Sequence, residues 1–307
     1  MKNTNTEIKA FFHQSTNTIC YVVSDKETKC AAIIDSCLDY DHADGSLDTE
    51  HADSVIQYIQ TENLKPAWIL ETHVHADHLS AAPYFKEKFE VPVAIGKNIT
   101  KVQHTFGVIY NTERGFRKDG SQFDHLFEDG EKFSIGNLNC EYIFTPGHTP
   151  ACGSYKIEDN IFVGDTLFMH DFGTARCDFP GGDARDLFKS IRRILSYPGN
   201  TNLWMCHDYL TDNRKSYQWK STVEKQRKLN PHVKDGINEE EFVKIREEKD
   251  SRLGAPKLIV PSIQVNMRAG EMPPPERNGV SYLKVPIKFK EKEYLQFVYM
   301  LLICTFH

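Results

Sequence analysis

The chain has 307 residues, 40% of them hydrophobic and 26% charged, with a formal net charge of −6. That length accommodates one large domain, or a domain with an extension, around a sizeable core. The two charge signs are mixed and no basic stripe occurs, which excludes a nucleic-acid binder, and the composition excludes a low-complexity or wholly disordered chain.

Eight cysteines are scattered along the chain without a C-x-x-C pair. Reduced thiols in a cytoplasmic protein are expected, several of them plain core residues. The start, MKNTNTEIKAFFHQ, lacks the long apolar run of a signal peptide. The apolar tail, 294–306, is too short and too interrupted to span a membrane, so no stable insertion is expected. It is expected to pack on the body or on a partner chain.

In chain order, residues 8–23, ending Thr-Ile-Cys-Tyr-Val-Val, predict a strand. Residues 30–35 predict a second, almost wholly apolar one, and the polar turn between them suits a hairpin. Asp35 closes that strand, as a functional loop residue or as a turn residue. Val55, Ile56 and Ile59 recur at helical spacing within 48–62, with Asp48 as N-cap. After Pro66 a short buried strand runs into Thr72-His-Val-His-Ala-Asp-His78, and 79–89 predicts a helix. Residues 91–95 predict a strand. Over 96–127 the pattern weakens to an insertion of helix and loop that covers the site or meets another copy. Strands and turns alternate over 133–145 and 152–165. A helix over 183–196, a strand over 202–206 and helices over 222–230 and 239–250 follow. Residues 256–286 are Pro-rich and are expected to be irregular, wrapping the body. Two halves of this kind, each a sheet flanked by helices, predict a four-layer α/β/β/α sandwich. The division expected is a domain over 1–230 and an extension over 231–307 packed on the same body.

Residues 72–78 hold three histidines and one aspartate. Imidazole and carboxylate are poor core filler but good metal ligands. In an extended segment His73 and His75 point to one side, leaving Asp77 and His78 for a second metal or for support. Three further signals join them, each at a strand end where a sheet displays ligands: His148 on a Pro-Gly turn, Asp165 after an apolar strand, and His207 after another. Their convergence predicts a metal site.

His73-x-His75-x-Asp77-His78, then His148, Asp165 and His207, in this order, resemble the metallo-β-lactamase superfamily over residues 10–230. The resemblance implies the αββα sandwich. It also leaves a dinuclear hydrolase of glyoxalase II type open, with two zinc ions shared among all seven ligands. Other stretches, Thr174-Ala-Arg-Cys-Asp-Phe179, Cys206-His-Asp-Tyr209, Lys228-Leu-Asn-Pro231, Glu240-Glu-Phe-Val-Lys-Ile245 and Val265-Asn-Met-Arg268, resemble the persulfide dioxygenase (sulfur dioxygenase) branch. They are also similar to a bacterial subgroup labelled β-lactamase-like hydrolase. The dioxygenase resemblance implies one Fe(II) per chain on His73, His148 and Asp165, with His75, Asp77, His78 and His207 orienting ligands and moving protons. It implies glutathione persulfide and O2 as substrates. Arg176 is expected to pair with a substrate carboxylate, and Tyr209 to donate a hydrogen bond to sulfur or oxygen. A glycine-cysteine-glycine-arginine run common in the branch is Gly173-Thr-Ala-Arg176 here. A homodimer or homotetramer is expected.

Overall fold

In a computed structural model, which describes residues 5–287, period-two alternation sorts the first strands' side chains onto two buried faces. β1 (Thr6–His13) and β2 (Thr18–Asp25) form an antiparallel hairpin, and β3 (Cys30–Ile34) pairs back on β2. Cys20, Val22, Ala31 and Ile33 enter one core, while Ile19, Tyr21, Val23, Ala32 and Ile34 enter another.

A ribbon of β4 (Asp39–Tyr40) and β5 (Leu47–Asp48) leads into α1 (Glu50–Thr61). β6 (Lys65–Leu70), β7 (Val93–Gly96) and β8 (His125–Phe127) then join β3 in parallel, through α2 (Ala82–Phe89) and α3 (Ile99–Ile109). The second sheet runs β14-β13-β12-β11-β10-β9, from β9 (Lys132–Ile135), β10 (Leu138–Phe144), β11 (Gly153–Ile157), β12 (Asn160–Phe162), β13 (Asn202–Trp204) and β14 (Lys220–Thr222). α4 (Ala184–Leu195) crosses from β12 to the parallel β13, and α5 (Val223–Leu229), α6 (Glu239–Asp250) and α7 (Ile259–Asn266) follow.

Three apolar clusters define four layers. α1, α2, α3 and α7 cover the first sheet. The inner faces of both sheets share a core of Ile34, Leu70, Phe127, Tyr142, Tyr155 and Phe162. α4, α5 and α6 cover the second sheet around Leu187, Ile191, Val223 and Phe242. This is the αββα sandwich.

The structure departs from several sequence expectations. One strand over 8–23 would run about 50 Å at 3.3 Å per residue; instead it folds in two, with Asn17 in the left-handed region (φ 57°). Asp48 lies in β5, and Thr49 takes the N-cap position of α1. The helix expected from 79 begins at Ala82, because Leu79 bridges to Leu38 instead. Within 96–127, α3 buries Ile99, Val102 and Phe106 in the first core and β8 completes the first sheet, so the segment's apolar face is used within the body. Residues 256–286 are not irregular throughout: α7 forms because Ile263 and Met267 enter the first core, with Pro261 in the first turn, where no intrahelical N–H is lost. The apolar tail at 294–306 lies outside the described residues. Among those described, no helix is long and apolar enough to cross a membrane.

Candidate metal centre

Parallel strands β3 and β6 end side by side, and their junction holds the first motif. Asp35, at φ 53°, is buried just beyond β3. Its Oδ1 accepts from the Thr72 N–H at 2.8 Å and lies 3.1 Å from His75 Nε2, and the Thr72 hydroxyl donates to it at 3.0 Å. Asp35 therefore anchors the histidine loop, and a carboxylate buried among three donors stays ionised: burial opposes its charge, but His75 and Thr72 hold its pKa below the ordinary carboxylate value. Glu71, also buried, accepts from the Ser36 hydroxyl at 2.9 Å and the Ser80 hydroxyl at 2.7 Å, and its second oxygen lies 3.4 Å from His75 Nε2.

The far side of the loop is clamped by α7. Asn266 donates to the carbonyls of His75 (2.9 Å) and His78 (2.8 Å), and accepts from the Ser80 N–H at 2.8 Å. Both N–H groups and the oxygen of that amide bond to the loop. Asn266→Ala is expected to lower metal affinity about 10–100-fold, the cost typical of removing groups that orient ligands. Competition against a chelator of known affinity checks this.

The second sheet supplies the other donors. The turn after β10 carries His148, whose Nδ1–H donates to the Arg176 carbonyl at 2.7 Å, leaving Nε2 as a lone pair. A single 3-10 turn after β12, Gly164–Thr166, carries Asp165. Gly164 sits at φ 51°, and a Cβ there would lie 2.7 Å from Thr72 Oγ1, so the two sheets can approach only at glycine. His207 follows β13, bridged to Thr18 of β2.

These groups meet. Asp165 Oδ2 lies 3.8 Å from His73 Nε2 and 3.6 Å from His148 Nε2, and its Oδ1 lies 3.4 Å from His207 Nε2. His207 Nε2 is also 3.4 Å from Asp77 Oδ2. The Thr72 hydroxyl, donating to Asp35, accepts from His73 Nδ1–H at 2.9 Å, which fixes the lone pair at Nε2. Burial pushes His73 well below the ordinary imidazole value, lowers His148, and pushes His78 down to about 4. All three are thus neutral, the form that binds metals. Nε2 of His73, His78 and His207, Nδ1 of His75 and Oδ1 of Asp165 are buried without a hydrogen-bond partner. Such orphans are costly unless an ion takes them, so the donor chemistry fits a divalent metal. His73, His148 and Asp165 form one set of mutually close ligand atoms, and His75, Asp77 and His78 another.

A cavity of about 760 Å³ opens on this cluster, with Asp77, His148 and Asp165 among its lining residues. Phe168, Phe172, Phe179 and Tyr209 make an aromatic side, and Arg176, Arg246, Lys249 and Arg252 bring positive charge. The Tyr209 ring stacks on His207, with centroids 5.6 Å apart and 15° between planes. Arg176 also lines the cavity, but its guanidinium already grips Asp178 through two bonds of 2.6 Å and the Gly254 carbonyl at 2.7 Å.

All nine residues singled out from the sequence thus lie in the cluster or its cavity. Glu71 and Thr18 were not singled out. Glu71 was visible only as a charge ending an apolar strand. Asn266 was visible within a family-like stretch that carried no role.

Residues 16–207 match the model of the metallo-beta-lactamase superfamily, and the chain belongs to that superfamily. Its members are metal-dependent enzymes, and the clustered histidine and aspartate ligands agree. Among similar proteins is Glyoxylase B2 of Dictyostelium discoideum, 51% identical over 270 residues, covering 87% of this chain and 92% of the relative. The mitochondrial persulfide dioxygenase ETHE1 of Bos taurus is 28% identical over 273 residues, covering 87% and 90%. The crystal structure of ETHE1 from Myxococcus xanthus aligns with a TM-score of 0.68 at 26% identity, covering 86% of this chain and all of that one (100%).

Proposed function

We propose that this chain is a persulfide dioxygenase holding one Fe(II) on His73, His148 and Asp165. The overall reaction takes glutathione persulfide, O2 and water to glutathione and sulfite. The observation that carries this reading is the cavity: His148 and Asp165 line it beside an aromatic wall and cations join its lining, which suits a thiol-bearing, anionic peptide. Its volume falls in the range of small-molecule sites, roughly 300–1,000 Å³. The similarity to persulfide dioxygenases supports the same reading.

Iron(II) on two histidines and a carboxylate would supply open positions and the electron chemistry with O2, which zinc lacks. The chain's own residues do the rest. Phe168, Phe172 and Phe179 exclude water from the reacting sulfur. Tyr209 brings a phenolic O–H donor to the cavity wall, and Arg176 orients His148 through its backbone carbonyl. Iron-loaded protein, purified anaerobically, is expected to consume O2 when given glutathione persulfide. Full iron occupancy without uptake overturns the proposal.

One observation favours a second reading, a dinuclear thioester or lactone hydrolase of glyoxalase II type. His78 and His207 each leave Nε2 unpartnered, with Asp77 beside both rings, 3.3 Å from His78 Nδ1 and 3.4 Å from His207 Nε2, and the Dictyostelium relative bears the name Glyoxylase B2. His207→Ala separates the two. With one iron, metal content stays near one per chain after the substitution; with two metals, content halves and hydrolysis collapses. Elemental analysis reads the difference.

A further inference from the structure

A second cavity, of about 310 Å³, shares Asp77, Tyr209 and Pro256 with the larger one. Its lining includes His13, Ser15, Thr16 and Asn17 of the β1–β2 turn. The hairpin register builds a chain of polar groups there. His13 ends β1 and pairs with Thr18, which starts β2. The turn between them folds Thr16 back, its N–H donating to the His13 carbonyl at 3.3 Å. His13 Nδ1 then lies 2.7 Å from Thr16 Oγ1, and Thr16 Oγ1 lies 2.9 Å from Thr18 Oγ1. Thr18 is fully buried. Its hydroxyl reaches the metal centre, 3.2 Å from Asp77 Oδ2 and 3.3 Å from Nδ1 of both His78 and His207. At the outer end, His13 Nε2 lies 2.9 Å from Asp39 Oδ1, a partly exposed carboxylate, and 3.0 Å from Ser15 Oγ.

The chain is consistent in either direction, as proton transfer along it requires. Asp39 accepts from His13 Nε2–H, so the neutral ring presents a lone pair at Nδ1. Thr16 then donates to His13 and Thr18 donates to Thr16, which leaves the Thr18 lone pairs toward the metal centre. With a proton on Nδ1 every bond reverses: His13 donates to Thr16, Thr16 to Thr18, and Thr18 to Asp77. One proton entering at Thr18 thus emerges on His13, and each hydroxyl keeps one proton throughout. Among the described residues, Asp39 and His51 are the titratable groups against the ring, and Tyr40, His42 and Lys257 join it on the cavity wall. Burial, and then His13, pushes His51 down to about 4, so it does not share the charge.

We propose that the β1–β2 turn is a proton relay, with His13 as its shuttle, that carries protons released at the metal centre from the Asp77 edge into the second cavity. Both readings of the site release acid. Oxidation of the persulfide, GSSH + O2 + H2O → GSH + SO3²⁻ + 2H⁺, frees two protons, and hydrolysis of a thioester or lactone to its carboxylate frees one. The relay therefore needs a metal centre that turns over, and rests on neither reading in particular. Thr16 and Thr18 pass the proton and His13 hands it to Asp39 and solvent.

Turnover of metal-loaded protein in weak buffer tests this, by O2 uptake with glutathione persulfide and by thioester cleavage. His13→Ala is expected to lower kcat at least about 10-fold, within the contribution of a positioned proton carrier, with metal content unchanged. Added imidazole enters the vacated space and is expected to restore kcat, which it does not do for a merely structural loss. Thr16→Val keeps the shape and removes the hydroxyl. It is expected to show the same loss without rescue, because His13 still fills its own place. Unchanged kcat in His13→Ala overturns the proposal, as does a loss that imidazole leaves in place. Nitrogen NMR of zinc-loaded protein reads the chain without turnover. His13 Nδ1 of the neutral ring is expected as a hydrogen-bonded acceptor in the wild type and as a free one in Thr16→Val; a protonated Nδ1 in the neutral wild-type ring, or no change in the variant, also overturns it. If O2 uptake is absent while thioester cleavage depends on His13 and recovers with imidazole, the relay stands and the dioxygenase reading falls.

Discussion

Asp165→Asn is expected to cost metal affinity more than about 100-fold, beyond the 10–100-fold seen when only a ligand's supporting partner is lost. The substitution keeps shape and removes charge. Among the described residues, Asp165 is the one carboxylate that approaches His73, His148 and His207 together, at 3.8, 3.6 and 3.4 Å. Burial lowers His73 and His148 below the ordinary imidazole value, so they offer lone pairs but no compensation for a dication. Without the aspartate, a divalent ion faces a buried site short of negative charge, where solvation is poor and attraction must come from the ligands. Elemental analysis after dialysis against a weak chelator measures the loss, and activity is expected to fall with occupancy. Full metal retention in the Asn variant would sink the assignment of Asp165 as a ligand.

Asp35→Ala is expected to destabilise the fold by about 3–5 kcal/mol, the scale of breaking a buried charged network by removing one partner. Thr72 N–H, the Thr72 hydroxyl and His75 Nε2 would all lose their acceptor inside the protein. Each buried donor left unpaired costs about 1–3 kcal/mol, and the sum is capped by local relaxation. Asp35→Asn is the control. Asparagine tolerates the left-handed backbone at φ 53° and keeps one acceptor oxygen, so a smaller loss isolates the charge from the conformation. Urea unfolding reads both variants, the midpoint moving without a change in slope. Because the Thr72 hydroxyl also fixes the His73 tautomer, the Ala variant is expected to release metal as well.

The ligand types were legible because their chemistry is local. A histidine or aspartate at a strand end is visible in the sequence, and four such signals in one order identify both a metal site and a superfamily. The sandwich was legible for a related reason: two halves, each with apolar strands followed by helices, call for two sheets covered on their outer faces. The supports were not legible. Asn266 lies 188 residues from His78, and only the docking of α7 on the first core brings it to the loop. α7 itself was hidden by the prolines around it, since local propensity weighed against a helix that tertiary packing sustains.

Arg176 marks the boundary most sharply. Its position near the substrate cavity was expected from the residues around it, and it does line the cavity. Its guanidinium, however, is held by Asp178, two residues on, and by Gly254 across the fold. The sequence by itself determined which atoms can bind a metal and that they gather at one edge of a sandwich, because ligand chemistry and strand periodicity are properties of short stretches. Only the tertiary structure decided that the Arg176 charge is already held within the fold, because an ion pair depends on what the rest of the chain brings within a few ångströms.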